Sequence, residues 1–328
     1  SYRVPAPEPG ALLRWPDAFG TRFIVFVDVE EEFDWTAPLD RAARSTTTMR
    51  AFPDAHRRFL DAGVPLACMV DHPIACDSAS VDMLRAVVAD GRSEIGAQLH
   101  AWVNPPFPEE HSRPNSYPGN LPGELEAAKL DAITDAIASA FGRAPRAYRA
   151  GRYGIGPRTL GLLAARGYRI DSSVRAGYDY SRDGGPDFRA VGGDAYRVGP
   201  MLELPLTTVF TGRLRRGGSR LHGLLSSAPK LGGAASRLGL LSRVALTPED
   251  MPIGAALDAV ETTVADGSKL LVFSFHSPSL GVGNTPYVRD EEDLRRFWAW
   301  WTAMFARLDR LGVRSASLTD VIAAADAA

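Results

Sequence analysis

The feature that most limits how this sequence can fold is its alternation of apolar runs with helical patterns. Residues 23–27 form a continuous apolar run, and helical periodicity follows at 49–62. The cycle then repeats, with strands predicted at 64–70, 94–99, 148–150, 168–174, 202–205 and 270–275 and helices at 78–90, 122–141, 157–166, 248–266, 290–311 and 318–327. Uninterrupted apolar strands that alternate with helices are typical of parallel sheets covered by helices. The pattern therefore predicts an α/β fold, either a barrel or an open sheet.

Composition narrows the class of protein further. With 45% hydrophobic and 23% charged residues, the chain has the balance of a globular protein rather than of a disordered or fibrous one. Its 37 basic and 39 acidic residues provide no global positive field, so we expect no nucleic-acid partner.

No apolar run approaches the ~18 residues of a membrane span. The first residues lack a signal-peptide pattern, so we expect a cytoplasmic enzyme. No repeat or flexible linker divides the sequence, which predicts a single domain over residues 1–328.

In parallel α/β folds the reactive side chains lie at the carboxyl ends of strands, and the first predicted strand ends on an acidic segment. Five carboxylates fall within residues 28–34, and Asp28 follows directly on the buried run. Such a group would repel itself unless a cation or an arginine lies among the carboxylates. The alternative is a solvated acidic loop.

Two further predicted strand ends carry polar side chains, a histidine and an asparagine at one and two arginines at the other. His100 follows the strand at 94–99, and Asn104 offers an oxygen ligand four residues later, a pattern that suits a divalent metal. For this segment alone, a hydrogen-bonded core histidine is the preferred interpretation of His100. The strand at 148–150 carries Arg149, and Arg152 follows it, so that either arginine could hold a carboxylate in place.

The last strand end carries the best general acid–base candidate of the chain. His276 closes a run of apolar and small residues at 270–275. The sequence contains no Gly-x-Ser-x-Gly motif that would place a nucleophilic serine. These features favour attack by water, assisted by a metal or a carboxylate, over an acyl-enzyme mechanism.

Taken in this order, these segments resemble the polysaccharide deacetylase family, also known as carbohydrate esterase family 4 or the NodB-homology domain, and within it a WalW-like branch. The match runs from about residue 23 to residue 314. Its most specific pieces are DVEEEFDW at 28–35, QLHAWVNPP at 98–106, FHSPSL at 275–280 and GNTPYVR at 283–289. The resemblance implies a distorted (β/α) barrel, here with a helical insertion, and the removal of acetyl groups from sugars by a metal-bound water.

The resemblance also implies roles for individual acid–base residues. Asp28 falls on the catalytic base of the family, and Arg149 on the arginine that orients this base. His276 falls on the acid that protonates the leaving group, and Asp171 on the carboxylate that tunes this acid. A backbone N–H near Tyr153 would help to hold the oxyanion.

A divalent metal ion is implied as well, with Zn²⁺ the first expectation and other divalent ions possible. Val29 stands where the family has a metal-binding Asp, so Glu30 or Glu31 would have to reach the ion. The expected ligands are Glu30, His100 and Asn104, where Asn104 replaces the second histidine of the family, and this set is harder than Asp-His-His. The further residues expected near the metal or the substrate are Glu31, Gln98, Trp102, Arg152 and Tyr153.

Charge is distributed unevenly in the last third of the chain. Residues 204–248 contain six Arg, one Lys and no acid, so this segment carries +7 in a chain of net charge −2. Leucines recur in it at roughly helical spacing, which predicts a basic helical insertion at about 206–247. A solvated helical arm is one interpretation. The other is a cover over the active face that attracts a phosphorylated or lipid-linked glycan, or that contacts an anionic membrane surface peripherally.

Together these features predict a metal-dependent hydrolase that removes an N-acyl group, such as acetyl, from an amino sugar or glycoconjugate. In broader terms it would be an amidohydrolase acting on non-peptide C–N bonds. One alternative is a metal-independent C–N hydrolase on the same fold, which would use the carboxylates and His276 alone. Another is a non-catalytic carbohydrate-binding or regulatory relative, with which Val29 and Asn104 would be consistent.

Overall fold

A computed structural model describes residues 2–218, 221–222 and 238–328 of the chain. In chain order its strands are β1 (Arg22–Val29), β2 (Leu66–Val70), β3 (Glu94–Leu99), β4 (Ala147–Ala150), β5 (Ile170–Asp171), β6 (Tyr196–Val198), β7 (Met201–Glu203), β8 (Thr208–Thr211), β9 (Ser242–Ala245), β10 (Leu270–His276) and β11 (Arg314–Ser315). The α-helices are α1 (Phe52–Asp61), α2 (His72–Cys76), α3 (Ser78–Val88), α4 (Gly123–Phe141), α5 (Thr159–Ala164), α6 (Ile253–Ala265), α7 (Glu291–Arg310) and α8 (Leu318–Asp326).

The main sheet is built around parallel strands in the order β10-β1-β2-β3-β4-β5-β7-β6. Neighbouring strands along this path run parallel, apart from the antiparallel pair β6–β7, and β11 pairs with the start of β1. The register of β1 and β10 sets Asp28 beside His276. Parallel pairing and covering helices are what the uninterrupted apolar runs predicted.

Backbone hydrogen bonds bring the far end of this sheet back to β10. The N–H of Thr207, just after β7, donates to the carbonyl of Val272 at 3.2 Å, and the N–H of Ser274 donates to the carbonyl of Leu246 at 3.2 Å. The sheet therefore curls into a distorted barrel. This confirms the α/β fold of barrel type that the resemblance implied.

Alternation along the strands sorts their side chains into two apolar clusters. On β1, Val25 and Val27 belong to the cluster that also contains α1, α4 and α7. Ile24 and Phe26 belong to the other cluster, which lines the inner face of the curled sheet and is closed at one end by α8. Because successive side chains of a strand point to opposite faces, Asp28 continues the inner row of Ile24 and Phe26. The inner face is thus apolar near α8 and polar at the carboxyl ends of the strands.

The described ends of the predicted insertion at 206–247 are not helical. They form the strands β8 and β9, which pair antiparallel, with Thr208 opposite Ala245. Further into the insertion, Arg215–Gly217 form a short 3-10 helix and residues 221–222 are helical, while the rest of the helix predicted there falls on residues 219–220 and 223–237, which lie outside the described part of the chain. Among the described residues, no helix is long and apolar enough to cross a membrane.

Candidate active site

A cavity of about 870 Å³ opens at the carboxyl ends of the parallel strands. Its floor is formed by inner-face positions of four strands, namely Asp28, Gln98, Arg149, Ser274 and His276. The prediction that polar strand ends meet at one place is therefore confirmed for four segments far apart in sequence. Alternation along each strand places these side chains on the same face as the apolar layer beneath them.

Asp28 is held in one orientation by Arg149. The Nη1 of Arg149 donates to Oδ1 of Asp28 at 2.7 Å and to Oγ of Ser274 at 2.5 Å. Its other nitrogens donate to the carbonyl and the hydroxyl of Ser172, at 2.9 and 3.0 Å, and its guanidinium lies 4.8 Å from the ring centroid of Phe26. Both members of the ion pair are almost fully buried. The contact between Arg149 and Asp28 that the resemblance implied is present.

His276 faces Asp28 and is held from behind by Glu249. Its Nδ1 lies 2.7 Å from Oε2 of Glu249, and its backbone N–H donates to Oε1 of Glu249 at 3.1 Å. The Nε2 atom lies 3.6 Å from Oδ2 of Asp28. Burial alone would lower the pKa of His276, but the carboxylates of Glu249, Glu30 and Asp28 outweigh it and raise the pKa to about 10. The imidazole is therefore cationic at neutral pH.

The expectation that Asp171 holds His276 is wrong. Ile170 packs in the inner cluster, so Asp171, the next residue of β5, faces the opposite side of the sheet. There Oδ1 of Asp171 accepts a hydrogen bond from Oγ of Ser173 at 2.5 Å, and burial raises the pKa of Asp171. The carboxylate that contacts His276 is Glu249.

Sequence reasoning missed Glu249 because the helix of that region was placed too early. The predicted helix began at residue 248, whereas α6 begins at Ile253. Glu249 therefore lies in a loop against the cavity rather than in the first turn of a helix. Its one signal in the sequence was that it is the first acidic residue after the acid-free segment 204–248.

A second cluster lies beside the first, around His100. The Oε2 of Glu30 accepts a hydrogen bond from Nε2 of Gln98 at 3.1 Å and lies 3.4 Å from Nε2 of His100. The Nδ1 of His100 lies 2.8 Å from Oε2 of Glu31, and Trp102 donates to Oε1 of Glu31 at 2.8 Å. Burial raises the pKa of Glu30 to about 7 and that of Glu31 to about 8.

Asp71, at the end of β2, supports this cluster and was not singled out from the sequence. Its carboxylate accepts hydrogen bonds from the N–H of Glu31 and the N–H of Ile74, both at 2.9 Å. It thereby caps α2 and fixes the turn that follows β1. Burial and the neighbouring carboxylate of Glu31 raise the pKa of Asp71 well above its usual range.

The residues around His100 fit a divalent cation. In the tautomer that directs the proton of Nδ1 toward Oε2 of Glu31, 2.8 Å away, the lone pair of Nε2 is available, which is the arrangement usual for a metal-binding histidine. The Oε1 atoms of Glu30 and Gln98 are buried, and neither has a hydrogen-bond partner among the described residues. These three side chains supply nitrogen and oxygen ligands of the kind that divalent ions bind.

Asn104 does not belong to this ligand set, which corrects the prediction. Its Nδ2 donates to the carbonyls of Pro105 and Lys129, at 2.8 and 2.9 Å, and the residue does not line the cavity. The turn that follows β3 carries it toward α4 instead. There the buried Nζ of Lys129 donates to the carbonyls of Ala101, Asn104 and Pro106 at 3.0, 2.6 and 2.6 Å, so Asn104 helps to shape the loop.

The residues expected to contact substrate divide into two groups. Gln98, Trp102, Arg152 and Tyr153 line the cavity. Glu31 does not line it, because its two oxygens are turned toward His100 and Trp102 and it is fully buried. Glu31 therefore orients His100 and does not reach the space that substrate would occupy.

An aromatic wall that the sequence did not predict faces the acid–base pair. Phe33 and Trp35 stack with their ring centroids 5.0 Å apart. The ring of Trp35 is nearly perpendicular to those of His276 and Tyr287, with centroid distances of 5.0 and 5.5 Å. Aromatic faces of this kind bury apolar surface and leave one polar atom for a ligand, and Nε1 of Trp35 has no hydrogen-bond partner among the described residues.

Comparison with solved structures shows which known fold this chain shares. No protein-family model matches the sequence, and no curated protein matches it at a significant level. Among solved structures, a Mycobacterium smegmatis protein classed with the polysaccharide deacetylases is similar to 99% of this chain and 95% of its own, with 15% identity and a TM-score of 0.52. A 4-alpha-glucanotransferase from Thermococcus litoralis matches 93% of this chain at 12% identity and a TM-score of 0.52, and the chain spans 40% of that protein's length. The chain thus has the polysaccharide deacetylase fold.

Proposed function

We propose that this chain is a carbohydrate deacetylase, a hydrolase that removes an N-acyl group from an amino sugar or its conjugate. The observation that carries the proposal is the opposed pair Asp28 and His276, whose Oδ2 and Nε2 lie 3.6 Å apart at the floor of the cavity. Each member is fixed by a buried ion partner of its own, Arg149 for Asp28 and Glu249 for His276. A carboxylate and an imidazolium held face to face form a base and an acid for one hydrolytic reaction.

Asp28 is the general base in this scheme. Its Oδ1 is occupied by Arg149, which leaves Oδ2 as the atom that accepts a proton from the attacking water. The ion pair with Arg149 fixes the direction of the Asp28 carboxylate. The water oxygen forms a bond to the acyl carbon, and its proton passes to Asp28.

His276 is the general acid. Glu249 holds the proton on Nδ1, so the proton on Nε2 is the one that faces the cavity. As the C–N bond breaks, this proton passes to the departing amine, and the acyl group leaves as a carboxylic acid. A pKa of about 10 keeps His276 charged and ready to donate over the neutral range.

Glu30, His100 and Gln98 would hold a divalent ion beside this pair. When bound, such an ion supplies Lewis-acid polarisation of the acyl carbonyl and of water. The chain's own contribution is to orient Nε2 of His100 through Glu31 and to keep the carboxylate of Glu30 dry. We propose Zn²⁺ as the first candidate for this ion, with other divalent ions as alternatives.

The proposal is tested by acetate release from a panel of N-acetylated amino sugars. The wild type is compared with Asp28→Asn and with Asp135→Asn, which removes an equal charge from the exposed face of α4. We expect release by the wild type and by the control, and loss in Asp28→Asn. Release that survives complete chelation would favour a metal-independent hydrolase, for which the withdrawal of Asn104 from the ligand set is the supporting observation.

A further inference from the structure

The cations that line the cavity differ in whether a carboxylate neutralises them. Arg149 pairs with Asp28 at 2.7 Å, and Arg113 pairs with Asp183 at 2.9 Å. The same cavity is lined by Arg175, for which the described residues provide no ion pair. The residues outside the described ranges contain no Asp or Glu, so they cannot supply the missing carboxylate.

Arg175 is held by tyrosines instead of by an acid. Its Nη1 donates to the hydroxyl of Tyr180 at 3.1 Å, and its guanidinium lies 4.1 Å from the ring centroid of Tyr178 and 5.6 Å from that of Tyr153. Aromatic faces attract a cation but leave its charge in place. The Nε atom is buried and has no hydrogen-bond partner among the described residues. Asp250 lines the same cavity and senses the charge of Arg175, but forms no ion pair with it.

Two further arginines add to the unneutralised charge, one beside Arg175 and one elsewhere on the cavity wall. The guanidinium of Arg243 lies 3.5 Å from the ring centroid of Tyr178, the ring that Arg175 also contacts. Arg152, which lines the cavity, lies 4.1 Å from the ring centroid of Tyr117 and donates to Oγ of Ser116 at 2.5 Å. Neither forms an ion pair among the described residues. Positive charges that no carboxylate neutralises in a partly buried wall are stabilised by a bound anion.

We propose that Arg175, supported by Arg152, binds a negatively charged oxygen group of the substrate while the N-acyl group lies at Asp28 and His276. This inference rests on the proposed function, because it names the substrate class of that same cavity. The substrate is then an N-acylated amino sugar that carries a carboxylate or a phosphate. Guanidinium groups suit both chemistries, since their paired N–H groups match two oxygens.

The test measures binding apart from turnover. In a His276→Ala background, which keeps the Arg149–Asp28 ion pair, calorimetric titration compares N-acetylglucosamine with its 6-phosphate, and with N-acetylmuramic acid as the carboxylate probe. We expect at least one charged sugar to bind on the order of 10- to 100-fold more tightly than the neutral one, the range of a charge-assisted hydrogen bond. The phosphate and carboxylate arms distinguish the two sources of charge. Equal affinity of the neutral and both charged sugars would overturn the proposal.

Variants of Arg175 separate recognition from folding. Arg175→Gln is expected to abolish the preference for the charged sugar, and Arg175→Lys to keep most of it. The control is Arg58→Gln, which removes a guanidinium 4.7 Å from the ring centroid of Trp298, outside the cavity, and should leave the preference unchanged. A purely structural role of Arg175 would instead weaken neutral and charged sugars equally in both Arg175 variants, and that result contradicts the proposal.

Acetate release keeps this inference distinguishable from the proposed function. A preference that depends on Arg175 without acetate release from any sugar supports the anion subsite and refutes the deacetylase. Acetate release with the same KM for neutral and charged sugars supports the deacetylase and refutes the subsite. For the wild type we expect the charged substrate to show the lower KM, and we expect this advantage to shrink as the salt concentration rises.

Discussion

Replacing Glu249 by Gln tests the electrostatic basis of the acid most sharply. The substitution preserves the shape of the side chain but removes the charge that lies 2.7 Å from Nδ1 of His276. In the wild type this carboxylate, together with Glu30 and Asp28, overcomes the effect of burial and raises the pKa of His276 to about 10. Loss of the charge should therefore lower the pKa, because the imidazolium loses its strongest partner while its burial persists.

The size of this change follows from the bond that is weakened. A hydrogen bond to a charged group is worth about 1.5–3 kcal/mol, which corresponds to roughly one to two pKa units. The alkaline limb of the kcat/KM profile, expected near pH 10 in the wild type, should move down by that amount in Glu249→Gln. The same linkage acts on the folded state. The stability that His276 contributes is complete below its ordinary pKa of about 6.5 and is lost as the pH rises through about 10.

The assay is a pH–rate profile of acetate release, accompanied by NMR titration of the His276 ring. Asp135→Asn serves as the control for removal of one negative charge, and its alkaline limb should match that of the wild type. If the limb of Glu249→Gln coincides with the wild-type limb, His276 is not the group that limits activity at high pH. A shift of the limb to higher pH would refute the assigned role of Glu249.

Three further predictions concern the ligand set and the loop that shapes the cavity. Glu30→Gln and His100→Ala should each reduce the content of divalent metal measured by elemental analysis of the purified protein. Asn104→Ala should leave the metal content unchanged, whereas the resemblance implied that it would fall. Glu31→Gln should weaken metal affinity on the order of 10- to 100-fold in a metal titration, because it orients His100 from behind, and an unchanged affinity would contradict that role. Lys129→Met should lower the free energy of unfolding by about 3 kcal/mol in denaturant titration, because it leaves three buried carbonyls without their donor and removes one of the two cations that pair with Glu109. A loss below about 1 kcal/mol would count against this role of Lys129.

Strand alternation explains which site residues could be predicted from the sequence. The continuous apolar run before Asp28 and the similar run before His276 indicated buried parallel strands whose ends carry reactive groups. The structure pairs these two strands directly, with Asp28 in register with His276. Arg149 follows the same rule on β4, because Ala147, two residues earlier, packs in the inner cluster.

The partner of His276 could not be found in this way. Asp171 has the right position in the resemblance, yet its neighbour Ile170 occupies the inner face, so the side chain of Asp171 is directed away from the cavity. Glu249 lies in an irregular segment whose path depends on the strands β8 and β9 and on the closure of the barrel near Leu246. No local periodicity encodes such a path, since tertiary contacts determine it.

Asn104 shows a second limit of motif spacing. A ligand four residues after His100 is within reach if the chain turns toward the cavity, but here the chain turns toward α4. The buried ammonium of Lys129 donates hydrogen bonds to the carbonyls of this turn, and Nδ2 of Asn104 donates to the carbonyl of Lys129 in the same network. The position of a buried lysine on a distant helix thus decides where the side chain of Asn104 lies.

The central claim is that Asp28 and His276 hydrolyse an N-acyl group, and acetate release in matched variants tests it most directly. General acid–base groups typically contribute about 10²–10⁴-fold, so Asp28→Asn and His276→Ala should each lower kcat/KM by at least ~100-fold while their thermal melting confirms folding. The control Asp135→Asn should release acetate at the wild-type rate. Near-full activity in either active-site variant, or the absence of acetate release by the wild type from every sugar of the panel, would contradict the claim.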